Sequence, residues 1–239
     1  DLENRITALS MQCGLQSYWD SLLQVYRAMD SLDYKSCVEI LDNMDSSLTT
    51  RLLLLKEYLT GLCLHRLGNT LDHQRESMLS IQAATKYACN IEEGIWCDCQ
   101  MMLLSLLVNS NGDIYAARRI CKELRYYYTQ KNYAPFAQKG LYALKRKWSA
   151  LYSVEIAAQK TEDSVSYFRN GLYPSQYLMA LNNHAANLIV LGDFAEAMKY
   201  LNEAIGALKK FQAVRVNRMY LLSNYCLCAV LSEALSPAD

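Results

Sequence analysis

The chain has 239 residues, 52% of them hydrophobic and 20% charged, with only 9 Gly and 3 Pro. That is too apolar for a disordered chain and too poor in turn formers for an all-β fold. Its 24 basic and 24 acidic side chains cancel, so no global field draws it toward nucleic acid or an anionic membrane. Apolar runs such as Leu52 to Leu55 are broken by Lys56 and Glu57, well short of the ~18 residues that a membrane-spanning helix needs.

In chain order, apolar periodicity predicts helices over residues 16–29, 50–67, 95–109, 134–159, 177–191 and 215–234, each followed by a second helical segment except the last. Four of those second segments, opening at Tyr34, Gln74, Ile114 and Phe194, superimpose. Each carries apolar or small residues at offsets of three, four, seven, ten and fourteen, which trace one face of a helix. The first copy reads Cys37, Val38, Leu41, Met44 and Leu48; the second Ser77, Met78, Ile81, Ala84 and Ala88. The third reads Ala117, Cys121, Leu124 and Tyr128, with Arg118 at offset four, and the fourth Ala197, Met198, Leu201, Ala204 and Leu208. A partial copy starts near Thr161 with Ser164, Val165, Phe168 and Gly171.

These starts lie 40, 40, 47 and 33 residues apart, the length of a helix, a turn, a second helix and a connection. Leu32-Asp33, Gly112-Asp113 and Gly192-Asp193 precede three of them. Asp there can cap the following helix, and Gly suits the left-handed residue that ends the one before. The expected architecture is all-α: five helix pairs and a terminal helix in a single domain, residues 1–239.

The segment Leu181 to Ile205 resembles a tetratricopeptide repeat. Ala185, the turn Gly192-Asp193-Phe194, then Ala197, Leu201 and Ala204 stand where that family places its small and bulky residues. Ser105, Gly112, Asp113, Ile114, Ala117 and Cys121 reproduce part of the pattern. Spacings near 40 exceed the family's 34, so longer helices are expected. The resemblance implies a right-handed α-solenoid of about five helix-turn-helix repeats plus a capping helix, with the first helix of each pair lining a concave, ligand-receiving face. On that face it places Tyr58, His65, Met102, Asn109, Asn182, Ala186, Ile189, Tyr220 and Asn224. Asn182 and Ala186 stand where a carboxylate clamp for chaperone tails has Lys and Asn, which disfavours that ligand.

Catalysis is not expected. His65, His73 and His184 lack any HExxH-like spacing, and no Gly-rich phosphate loop or nucleophile elbow occurs. Cys97-Asp98-Cys99 and Cys226-Leu227-Cys228 invite a metal, but residues two apart on a helix point about 200° from each other, so no metal or cofactor is expected. Nine cysteines without framework spacing point to a reducing, cytoplasmic compartment.

Charge is segregated. Residues 1–50 carry eight acids against three bases. From residue 118 to 147 come Arg118, Arg119, Lys122, Arg125, Lys131, Lys139, Lys145, Arg146 and Lys147 against Glu123 alone, interleaved with Tyr126, Tyr127, Tyr128, Tyr133 and Tyr142. The expected function is non-catalytic recognition of a protein or peptide. A chain that opens at Asp1 without methionine further suggests a piece of a larger protein, with the repeats as sensor region of a signalling or defence NTPase. Two alternatives stay open: a small-molecule-sensing regulatory domain, and nucleic-acid binding through the basic stretch 118–147.

Overall fold

A computed structural model describes residues 16–44, 49–68, 70–88, 92–108, 112–131, 135–147, 151–170, 172–210 and 218–234. Among these residues there is no strand. The helices are α1 (Gln16–Asp30), α2 (Tyr34–Asp42), α3 (Thr50–Leu67), α4 (Leu71–Ala88), α5 (Glu93–Leu106), α6 (Ile114–Gln130), α7 (Pro135–Lys145), α8 (Val154–Phe168), α9 (Pro174–Leu191), α10 (Phe194–Lys210) and α11 (Arg218–Ala234). No helix among the described residues is long and apolar enough to cross a membrane.

The chain divides into two compact units, Asp1–Ile120 and Cys121–Asp239, with the division inside α6. In the first, α1 packs on α2, α2 on α3, α3 on α4 and α4 on α5. In the second, α7 packs on α8, α8 on α9, α9 on α10 and α10 on α11. Helices two apart in the chain also touch, α3 with α5 and α9 with α11.

The pairing follows from small residues at the crossings. Cys37, Ser77, Ala117, Ser164 and Ala197, the shared offset-three positions, are all fully buried. Three of them donate to a carbonyl of the preceding helix: Cys37 Sγ to Val25 at 3.5 Å, Ser77 Oγ to Gly61 at 2.8 Å and Ser164 Oγ to Tyr142 at 3.0 Å. The larger apolar residues one turn on, Leu41, Ile81, Cys121, Phe168 and Leu201, complete each core and are at most 1% exposed. In the first unit Leu41 joins Tyr18, Leu22 and Val25 of α1 and Leu59 and Cys63 of α3.

Two turns have one geometry. α1 ends on Leu32 at φ 63 and α9 on Gly192 at φ 81. Asp33 N–H then donates back to Ala28 C=O at 2.8 Å, and Asp193 N–H to Leu188 C=O at 2.9 Å, closing a Schellman motif. The same aspartates accept from the next helix, Asp33 from Ser36 N–H at 3.2 Å and Asp193 from Glu196 N–H at 3.2 Å. Gly112 at φ 62 and Asp113, which accepts from Ala116 N–H at 2.9 Å, repeat the capping half of the motif before α6.

The structure corrects three expectations. The second copy begins at Leu71 rather than Gln74, because Thr70 Oγ1 accepts from His73 N–H at 3.1 Å and caps α4 three residues earlier. The helix expected over 134–159 is two helices, α7 and α8, and the segment expected to open near Thr161 is the second half of α8. No Gly or Pro marks that break; α7 closes with Lys147 N–H on Leu144 C=O at 2.9 Å, and α8 restarts after Ser153 in extended conformation. With α8 starting at Val154, the second helices begin at residues 34, 71, 114, 154 and 194, that is 37, 43, 40 and 40 apart. Leu48 and Gly171 lie outside the described residues.

Candidate recognition surface and buried polar groups

The residues expected on the concave face fall into two sets, one per unit. In the first, Tyr58 on α3 reaches toward Asp98 on α5, Oη to Oδ2 3.5 Å. Burial, with Asp98 beside it, pushes the Tyr58 phenol well above its usual range. His65 and Met102 are half-buried, and Asn109 lies outside the described residues. In the second, Asn224 Nδ2 on α11 donates to Asn182 Oδ1 on α9 at 2.9 Å. Ala186 is half-buried beside them on α9, and Tyr220, one turn before Asn224, is 67% exposed. Ile189 is core, at 7% exposure, so its side chain offers a partner little.

The basic stretch is not one surface. Arg118, Arg119, Lys122 and Arg125 are exposed on α6, where Tyr115, Arg119, Lys122 and Tyr126 follow i, i+4, i+7, i+11 spacing and form a stripe. Tyr128, by contrast, is core at 3% exposure. Lys145 pairs with Asp163 at 2.9 Å and lies 4.4 Å from the Tyr142 ring centre, while Tyr142 stacks on Tyr167 at 4.0 Å. Lys147 is half-buried. Arg146, expected at the surface, is buried; it follows the last residue of α7, and its Nη2 donates to Gln176 Oε1 on α9.

Two polar clusters were not anticipated. On α8 and α9, Thr161 Oγ1 lies 3.0 Å from His184 Nδ1 and accepts from Asn187 Nδ2 at 3.1 Å, all three buried. The His184 ring meets Tyr200 edge to face at 4.4 Å. At the surface, Arg169 holds Glu203 in a fork, Nε at 3.2 Å and Nη2 at 3.1 Å, and Tyr177 donates to the same carboxylate. Neither shows in spacing, because each joins residues 23 to 34 apart in sequence.

The seven described cysteines are thiols, six of them buried and Cys226 exposed. Burial pushes Cys63 and Cys99 up to about 12. Among the described residues no three His, Cys, Asp or Glu side chains converge as metal ligands would. Compared with protein-family models, characterised proteins and solved structures, the chain matches none.

Proposed function

We propose that the chain is a recognition module with no chemistry of its own, built as a right-handed solenoid of about five tetratricopeptide-like helix pairs plus α11, which takes a protein or peptide segment on the face of its first helices. What supports it is the Asn182–Asn224 amide pair, 2.9 Å across, joining first helices α9 and α11. A half-buried amide pair keeps donors and acceptors beyond the bond it makes, and these suit an extended peptide backbone. Tyr220 beside it supplies a rigid aromatic anchor at low entropic cost. The outer face of α11 also exposes Met219, Leu227 and Val230, whereas a terminal cap has a polar outer face. α11 is thus surfaced like a helix that receives something.

In this reading the module is cytoplasmic and forms the sensor end of a larger switch, its partner biasing a domain elsewhere. The test is capture of partners from nuclease-treated extract by the purified chain, repeated with Asn224→Arg and Tyr220→Ala. A stoichiometric protein that is lost with both variants, their helical circular dichroism unchanged, supports the site. Retention by both overturns it.

The α6 stripe of Tyr115, Arg119, Lys122 and Tyr126 favours a second reading, nucleic-acid binding by phosphate contacts and stacking. It requires single-stranded nucleic acid to bind with an affinity that falls steeply with salt and is lost in Arg119→Glu/Lys122→Glu.

A further inference from the structure

Arg146 is only 5% exposed. Its Nη2 donates to Oε1 of Gln176 in the first turn of α9, and its guanidinium lies 5.9 Å from the Phe168 ring centre. Nε and Nη1 have no hydrogen-bond partner among the described residues. A guanidinium has five donors and stays charged, and buried charges are as a rule paired, because an unpaired one keeps its full desolvation penalty. Burial, with no carboxylate acting against it, pulls the Arg146 pKa down to about 10. Two nearby carboxylates are engaged elsewhere, Asp163 with Lys145 and Lys160 and Glu203 with Arg169.

The direction of the side chain deepens the imbalance. α9 starts after Tyr173, which makes no side-chain capping bond, and its first turn holds Pro174 and no acid. A helix N-terminus carries roughly half a positive charge. α7 and its closing turn add Lys139, Lys145 and Lys147 and no acid. A buried cation therefore faces the positive end of a helix dipole, an arrangement that is favourable once an anion lies between them.

We propose that Arg146 and the first turn of α9 form a binding site for an oxyanion, the phosphate or carboxylate group of a ligand. The planar guanidinium offers donors suited to such oxygens. Phe168 and Tyr173, edge to face at 6.1 Å, provide an apolar wall for the ligand's body. This site lies in the α7–α9 junction and needs neither the first-helix face nor a protein partner, so it goes beyond the recognition reading.

The test is thermal unfolding of the full chain in increasing sodium phosphate or sodium acetate, each against sodium chloride of equal ionic strength. Either anion is expected to raise the midpoint saturably, by roughly 5 °C or more at about 100 times its Kd; the stronger of the two identifies the group. Arg146→Met, which keeps the stem against Phe168, is expected to remove the response. Gln176→Glu supplies a resident carboxylate beside the guanidinium; it is expected to raise the midpoint without added anion and to remove the response. No anion-specific shift in the wild type would overturn the proposal. So would a Gln176→Glu protein that responds like the wild type or unfolds earlier, which keeps the test decisive even where Arg146→Met does not fold.

Discussion

Ser77 donates its hydroxyl to the carbonyl of Gly61 across 2.8 Å, at the crossing of α3 and α4. The approach is that close because Gly61 has no side chain: a Cβ there would lie 2.5 Å from Cδ1 of Ile81, itself fully buried. Gly61→Ala adds helix propensity worth about 1 kcal/mol, but overpacking a filled core costs about 1–3 kcal/mol. The expected balance is a loss of about 1 kcal/mol in urea unfolding, with the m-value unchanged. A variant as stable as the wild type would show that the two helices are not in contact at this point.

Leu32 holds a left-handed conformation, φ 63, that Gly112 and Gly192 adopt at the corresponding turns. For a residue with a Cβ this costs about 1–2 kcal/mol, and Leu32 is 42% exposed, so little packing offsets it. Leu32→Gly is expected to stabilise the protein by about 1 kcal/mol, after the larger entropy that glycine loses on folding. Gly192→Ala is expected to destabilise by about 1 kcal/mol. Chemical denaturation of the pair gives both signs in one experiment.

Helix faces were legible in the sequence and helix ends only in part. Offsets from Gln74 pick out Ser77, Ile81 and Ala84, all fully buried, although α4 begins at Leu71. Offsets from Thr161 likewise find Ser164 and Phe168 although α8 begins at Val154. Periodicity defines a face modulo one turn, so an error of three or seven residues leaves the face in register. Ends were found where Asp caps a helix and missed at Thr70, a weaker cap, and at the α7–α8 break, which has neither Gly nor Pro. The candidate sites were less legible still. Nothing in the spacing joins Asn182 to Asn224, whose bond spans 42 residues; Arg146 sits in a run of basic residues that reads as a solvated face until α9 is packed over it.

Cysteine reactivity follows burial. Cys37, Cys63, Cys97, Cys99, Cys121 and Cys228 are buried, while Cys226 is exposed on α11. Thiolates are the reactive species, and burial raises Cys63 and Cys99 to about 12. Brief iodoacetamide treatment of the native protein at neutral pH, followed by peptide mass spectrometry, is expected to label Cys226 and leave those six unmodified. In denaturant all should react. Fast native labelling of Cys63 would mean that the α1–α3 core opens readily.

His184 is buried beside Thr161 and Asn187, with the Tyr200 ring against it, and burial pulls its pKa below 6.5 despite opposing influences from Glu162, the Ala158 backbone and Glu196. The folded state therefore favours neutral imidazole, whereas the unfolded chain takes up a proton near pH 6.5. Where the unfolded state binds more protons, stability falls as pH drops. His184's contribution is thus fully present above pH 6.5 and declines below it until the folded-state pKa is passed. Denaturation midpoints measured from pH 8 to pH 5 are expected to fall more steeply for the wild type than for His184→Gln, which has no proton to gain. Equal slopes would place the acid sensitivity on groups other than His184.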